Sequence, residues 1–301
     1  MTFPPYLNPG DTIGIVCPAG QMEAARARDC IDTLERWGYR VRTGKTLGHA
    51  YHYFSGTDEE RLADLQDMLD DPGVKAILCG RGGYGTSRII DRLDFTAFRT
   101  SPKWIIGFSD ITVLHAHLFS VWDTASLHAP MAGAFQGEGA GSPSVESLRA
   151  ALRGERAHYR CVPHAFNREG QAEAVLAGGN LTLLAHLVGS PSAFGTDGLL
   201  LFIEDIGEYL YNLDRMLIQL ARSGRLERLA GLIVGGFSDL KDTVVPFGQT
   251  VEALILDKVR DYGYPVCFGF PTSHSGENYA LKVGGRYRLE VRRAGVTLDE
   301  V

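Results

Sequence analysis

Short apolar runs alternate with stretches of helical period along the first half of the chain. Thr12–Val16 (TIGIV) reads as the end of a first strand, opening at Asp11, and Tyr39–Arg42 as a second. Val74–Cys79 (VKAILC) is a third, and Trp104-Ile105-Ile106 a fourth. Between them, Met22–Trp37 predicts a helix stopped by Gly38. Thr57-Asp58-Glu59-Glu60 predicts a capped helix start with Leu62, Leu65 and Leu69 on one face. Ile111, Leu114, Leu118 and Val121 recur at threes and fours, so a helix follows the fourth strand directly, and Thr124–Leu127 predicts one more strand. Strands alternating with helices predict an α/β fold. Its N-terminal part is a mostly parallel open sheet flanked by helices, flavodoxin- or Rossmann-like, with ligands beyond the carboxyl ends of the strands.

From 136 to 170 Gly, Ser, Pro and Arg dominate and the periodicity fades, which predicts a linker between a domain over 1–135 and a smaller α/β domain over 171–301. The second domain is predicted to run through strands at Ala172–Leu176, Leu199–Ile203, Leu232–Val234 and Val266–Phe268. Helices lie near Leu181–Leu187, Asn212–Ala221 and Val251–Val259, and a closing pair of strands begins at Tyr279.

Composition narrows the function. Apolar residues make 45% and charged residues 22% of 301, enough for a real core, and a net charge of −6 with no basic stripe argues against nucleic acid as a partner. The start lacks a basic n-region and a long apolar stretch, and no run is long enough to span a membrane, so the expectation is a cytoplasmic protein. Five cysteines, at 17, 30, 79, 161 and 267, are scattered without a C-x-x-C pair and read as reduced thiols; no metal cluster or cofactor motif emerges.

The chemistry concentrates where strand meets helix at Gly107-Phe108-Ser109-Asp110. A serine on such a turn is lifted out of the sheet beside the N–H groups of a helix start. Two readings stand side by side: a nucleophile, or an N-cap, since Ser is a preferred cap and Ile111 occupies the place of the last Gly of G-x-S-x-G. The same four residues recur at Gly236-Phe237-Ser238-Asp239. There no helical period follows and Pro246 intervenes, so Ser238 is expected on a loop.

A nucleophile needs a base and an orienting carboxylate. Of nine histidines, His274 stands out, in a Gly/Pro/Ser loop directly after a strand; His115 and His117 are expected to point away from the turn, and His128 could line the cleft. Glu204 ends an apolar strand and is preferred as the acid over Asp205 and over Glu208, four residues on. The glycine loop Gly80-Arg81-Gly82-Gly83-Tyr84-Gly85 has three readings: a dinucleotide turn, though the register fails; a phosphate loop, though no G-K-[ST] follows; or backbone donors for an oxyanion.

Together, C-G-R-G-G-Y-G at 79–85, G-F-S-D at 107–110, G-G-N-L at 178–181, L-F-I-E-D-I-G-E at 201–208, N-L-D-R-M-L at 212–217 and the late loop with His274 resemble the serine LD-carboxypeptidases, or muramoyltetrapeptide carboxypeptidases. The microcin C immunity proteins are their relatives. The resemblance runs from about Gly10 to Gly285. It implies a Ser109–Glu204–His274 triad drawn from two domains, oxyanion donors at the N–H of Asp110 and Gly83, and no cofactor or metal. It implies cleavage of the bond from an L-diamino acid to the terminal D-alanine of a muropeptide, in cytoplasmic wall recycling, and leaves homodimerisation open. Arg81, Gly82 and Glu208 are candidates for substrate binding. Arg81 would pair with the terminal carboxylate or brace the loop, and Arg88 is the next place to look for the carboxylate's partner. Two departures accompany the resemblance: the late loop has Ser273 where the family usually has Gly and Lys282 where it usually has Pro, and a second acid, Glu208, leaves the triad glutamate open by four residues. Two other functions stay open, a hydrolase of aminoacyl- or peptidyl-nucleotide carboxamides, and a non-catalytic nucleotide- or sugar-binding α/β protein.

Overall fold

The computed structural model describes residues 1–301. In chain order its elements are β1 (Thr12–Val16), α1 (Arg28–Arg36), β2 (Arg40–Thr43), α2 (Asp58–Asp70), β3 (Val74–Cys79), α3 (Thr96–Thr100), β4 (Trp104–Gly107), α4 (Thr112–Val121), β5 (Ser126–His128) and α5 (Pro143–Leu152). There follow β6 (His158–Cys161), β7 (Gly170–Asn180), α6 (Leu181–His186), β8 (Leu200–Ile206), α7 (Leu210–Arg222), β9 (Gly231–Ser238), α8 (Val251–Val259), β10 (Val266–Phe268), β11 (Leu281–Val283), β12 (Arg286–Arg292) and β13 (Gly295–Glu300). Two compact units result, Met1–Glu155 with Tyr279–Lys282, and Arg156–Asn278 with Val283–Val301.

The first unit holds a six-stranded sheet in the order β11-β5-β4-β3-β1-β2, with β2, β1, β3, β4 and β5 all parallel. Ile13, Ile15, Leu78, Trp104, Ile105 and Ile106 are buried, because helices cover both faces of a parallel sheet and every position must be apolar. The chain leaves β1 toward β2 on one side and returns to β3 on the other. The carboxyl ends of β1 and β3 therefore open the crevice where such sheets bind ligands.

The second unit holds a seven-stranded sheet in the order β10-β9-β8-β7-β12-β13-β6. Strands β7 to β10 are parallel, and β12, β13 and β6 extend the sheet antiparallel.

Several elements differ from the sequence reading. The helix expected from Met22 begins only at Arg28, behind a 3-10 turn at Ala24–Ala27, and no side chain caps either start. The buried face of α2 carries Arg61 and Asp64 beside Leu65, Met68 and Leu69, whereas Leu62 is half-buried. The stretch 136–170 is not a tether. Ser142 caps α5 by accepting the Val145 N–H at 3.3 Å, Pro143 takes its first turn, and Val145, Leu148 and Leu152 enter the core of the first unit. The Gly, Ser and Pro there are helix-start chemistry. Of the strands after Tyr279, β12 and β13 form the expected pair, and β11 joins the edge of the first sheet. Lys282 in that strand lies with its ammonium 4.9 Å from the centre of the Tyr6 ring. No helix is long and apolar enough to cross a membrane.

Candidate active site

In the first unit, β4 ends at Gly107 with φ 158°, where a Cβ would come within 2.9 Å of the Ile111 side chain. Only glycine lets the chain turn that tightly into the helix behind it. Ser109 follows with φ 63°, a left-handed conformation that costs a non-glycine residue roughly 1–2 kcal/mol. The cap reading fails on this geometry. An N-cap has an extended backbone and accepts from the first turn, but Ser109 sits inside a 3-10 turn, Ser109–Ile111, that precedes α4, and its hydroxyl caps nothing. A strained serine between strand and helix is the geometry of a nucleophile elbow.

The elbow is braced from behind by His115. Its Nε2 lies 2.8 Å from the Gly107 carbonyl and its Nδ1 2.8 Å from Ser126 Oγ. The carbonyl can only accept, so the proton is on Nε2 and the serine hydroxyl donates to Nδ1. His115 is fully buried, and burial holds its pKa down to about 4. The expectation that His115 lies away from the turn is corrected: it ties α4 to the residue on which the turn pivots. His117 and His128 are also buried, His117 packed on Phe95 and His128 within β5.

The glycine loop lies against the serine. A Cβ on Gly82 would stand 2.9 Å from Ser109 Cβ and 3.3 Å from the Asp110 nitrogen, and Gly83 has φ 99°. Asp110 is buried, and its Oδ2 accepts the Thr86 N–H at 2.8 Å, so the residue after the serine holds the far end of the loop. Burial raises the Asp110 pKa, and the contacts from Thr86 and Gly85 oppose that shift. Arg81 Nη1 donates to the Gln21 carbonyl at 2.8 Å, and Gly20 N–H donates to the Gly82 carbonyl at 3.0 Å, clasping the loops after β1 and β3 together. Arg81 therefore braces the loop in this structure. Arg88 is held by Asp58 through contacts of 2.7–3.0 Å.

A residue the sequence reading passed over sits beneath. Arg61 has no exposed surface, and its guanidinium donates to the carbonyls of Gly56, Pro18 and Gly85 and to Asp58. Burial lowers its pKa, with Asp58 opposing. One planar group with five donors thus fixes three loops at the carboxyl end of the sheet. The signal was present in the helical period of α2, where Arg61 falls four residues before Leu65 on the buried face.

In the second unit the strand β8 runs through Glu204 and Asp205, rather than ending before them. Neighbouring residues of a strand face opposite sides, and these two acids divide accordingly. Asp205 accepts from Asn180 Nδ2 at 2.8 Å and from the Thr182 N–H and hydroxyl at 2.9 and 2.8 Å, fixing the start of α6. Glu204 meets His274, Oε2 to Nδ1, at 2.6 Å. The register between β8 and β9 shifts between Ile203 and Asp205, and such an irregularity re-aims the side chain at that point. Glu204 is fully buried; burial raises its pKa, and the His274 contact is the largest opposing effect. With the Nδ1–H of His274 donating to Glu204, the basic nitrogen of His274 is Nε2. Glu208 instead accepts from Asn212 Nδ2 at 3.2 Å at the entry to α7.

His274 owes its place to glycines of β9. The Gly236 N–H donates to the Thr272 carbonyl at 2.9 Å, and Phe270 N–H to the Val234 carbonyl at 3.1 Å. A Cβ at Gly235 would collide with the Thr272 carbonyl, and one at Gly236 with the Ser273 side chain. The second Gly-Phe-Ser-Asp thus has a structural role, since its glycine lets the histidine loop lie on the sheet. Its serine ends β9, paired to Ile206, with no helix behind it.

No group of three or more His, Cys, Asp or Glu side chains is arranged to hold a metal ion, and all five cysteines are free thiols. Chemically, the first unit offers a hydroxyl on a strained turn and the second a carboxylate-oriented imidazole.

Comparison with known proteins agrees over nearly the whole chain. The LD-carboxypeptidase N-terminal domain matches residues 13–129 and the LD-carboxypeptidase C-terminal domain residues 173–289. A probable murein peptide carboxypeptidase of Bacillus subtilis (strain 168) is 36% identical over 299 residues, covering 98% of this chain and 94% of its own. The crystal structure of muramoyltetrapeptide carboxypeptidase from Oxalobacter formigenes superposes with a TM-score of 0.84 at 30% identity, over 96% of this chain and 98% of that one. The microcin C7 self-immunity protein MccF in complex with glutamyl sulfamoyl guanosine has a TM-score of 0.86 over 98% of each chain, but at 21% identity it shares the fold alone. With both halves matched in order, the chain belongs to the LD-carboxypeptidase family.

Proposed function

We propose that this protein is a serine LD-carboxypeptidase that releases the terminal D-alanine from murein tetrapeptides at the bond to the L-diamino acid. The observation that carries the reading is the buried Glu204–His274 pair at 2.6 Å, in a chain of the LD-carboxypeptidase family whose Ser109 stands on a strained strand–helix turn. Ser109 Oγ attacks the amide carbonyl while His274 Nε2 takes its proton. The chemistry asks that these two atoms come within hydrogen-bond reach at the moment of attack. Glu204 stays ionised, holds the tautomer and stabilises the imidazolium. The N–H groups of Asp110 and Gly83 receive the oxyanion, which is why Gly82 and Gly83 have no side chain to bar the carbonyl. His274 then protonates the departing amine of D-alanine, and a water deprotonated by the same imidazole hydrolyses the acyl-enzyme. Gly82 borders the reacting carbonyl, Glu208 supports the start of α7, and Arg81 keeps the donor loop in shape. A muropeptide of the cytoplasm is the substrate consistent with the murein peptide carboxypeptidase relative.

The test is mass spectrometry of tetrapeptides incubated with the protein. Release of D-alanine and accumulation of tripeptide is the expected outcome. Intact tetrapeptide alongside cleavage of an aminoacyl sulfamoyl nucleoside would instead place it with the immunity proteins.

A further inference from the structure

Beside His274, within the second unit, lies a recess of about 320 Å³ lined by Phe237, Ser238, Phe270, Ser273, Ser275 and Glu277. Two of these, Ser273 and Ser275, are the residues that flank the proposed base. Three observations define its chemistry. Glu277 is the one ionisable group in the lining, it is exposed, and it forms no ion pair. Its charge is nonetheless felt nearby: burial, and after it the Glu277 carboxylate, pushes the Cys161 thiol up to about 11. Ser238 Oγ is buried and makes no hydrogen bond, so it is a polar atom with no part in holding the fold. The walls between are aromatic, Phe237 and the buried Phe270, whose faces suit an aliphatic stem and attract a cation at its end.

We propose that this recess receives the ω-ammonium side chain of the substrate's L-diamino acid, with Glu277 as the residue that recognises the ammonium group. The inference rests on the carboxypeptidase reading and names the part of the substrate that this unit selects. Sign of charge decides between the two arms that flank the scissile bond. The leaving D-alanine presents a carboxylate, which Glu277 would repel and for which no Lys, Arg or His stands in the lining. When the L-diamino acid is lysine it presents four methylenes ending in an ammonium group, which matches aromatic walls, a hydroxyl acceptor at Ser238 and a carboxylate at the rim. A salt-linked hydrogen bond is stronger than a neutral one, and that added strength is lost when the acid becomes an amide, whose oxygen still accepts but carries no charge.

Binding by the Ser109→Ala protein tests this without turnover. Calorimetry compares L-Ala-γ-D-Glu-L-Lys-D-Ala with the same peptide carrying norleucine in place of lysine. The lysine peptide is expected to bind about tenfold tighter. Glu277→Gln should bring that ratio close to one, and Glu277→Asp should keep part of it. Equal affinities for the two peptides, or a ratio unchanged by Glu277→Gln, would overturn the proposal. D-alanine release by the protein with Ser109 intact is read separately, so a protein that discriminates in binding yet releases no D-alanine sinks the activity and leaves the recess assigned.

Discussion

The tetrapeptide Gly-Phe-Ser-Asp stands twice in this chain, each time at the carboxyl end of a central parallel strand, and the two copies do opposite things. At 107–110 the strand stops at the glycine, Ser109 takes the left-handed conformation, and a helix follows. At 236–239 the ladder continues to Ser238, and it is Asp239 that turns left-handed, with φ 51°. The first copy uses its glycine for a tight turn and its serine to expose a hydroxyl. The second uses its glycine for contact with the histidine loop, and its serine lines a recess. What separates them lies downstream, in the apolar period from Ile111 that a helix needs and that Leu240 to Pro246 lacks. A short motif acquires its role from what the following residues can bury.

The comparison can be broken at several points. The largest effect is expected from Ser109→Ala, which should lower kcat by about 10⁶ as loss of a triad nucleophile does elsewhere, while Ser238→Ala, which touches only the recess, leaves kcat within about twofold and shows its effect in KM. Steady-state D-alanine release measures both, and a dead Ser238→Ala would reverse the assignment of the two copies. Ser109→Gly should be equally inactive yet melt higher, because glycine relieves a left-handed strain of roughly 1 kcal/mol.

Next comes the acid. Glu204→Gln should reduce kcat by about 10⁴, the scale of losing the carboxylate that orients a triad histidine. Glu208→Gln should act mainly on KM. The opposite ranking would transfer the orienting role to Glu208.

Third is the glycine of the second copy. Gly236→Ala sets a methyl into the Ser273 side chain and should displace the His274 loop, lowering kcat by about 10² with little change in melting temperature. A crystal structure of the variant with His274 unmoved would refute the packing argument.

The smallest effect is on stability and belongs to the first copy's brace. His115 is neutral in the folded protein, with a pKa near 4 against an unfolded value near 6.5. Between those values the unfolded chain binds the proton that the folded one excludes, so stability is whole above about pH 6.5 and falls as pH drops toward 4, by about 3 kcal/mol in all. Thermal melts from pH 7 to 4 should show a shallower decline in His115→Gln than in the parent. Parallel curves would mean that His115 is not buried as neutral imidazole.

Element type was legible wherever burial imposed a period. Val74–Cys79, Val251–Val259 and Val266–Phe268 coincide with their predicted bounds, because apolar runs and caps are local. Strand β8 was read short because Glu204 and Asp205 look like the end of a strand, when one acid is buried against His274 and the other against α6. Arg61 was missed because a charge interrupts an apolar stripe, although here it is the carbonyls of three loops that neutralise its burial cost.

By itself, the sequence determined the alternation of strands and helices on either side of 136–170, most of the helix-start chemistry and the identity of the serine, the acid and the histidine as candidates. Those follow from periodicity and residue type, which act over a few positions along the chain. Only the tertiary structure decided which acid holds the histidine, which serine is strained and which glycines must lack a side chain. Each of those depends on atoms separated by tens of residues: Glu204 from His274, Gly236 from Ser273, Gly82 from Ser109. A side chain's role at such a contact is set by the strand register and loop packing that bring its partner within a few ångströms, and no local pattern encodes that distance.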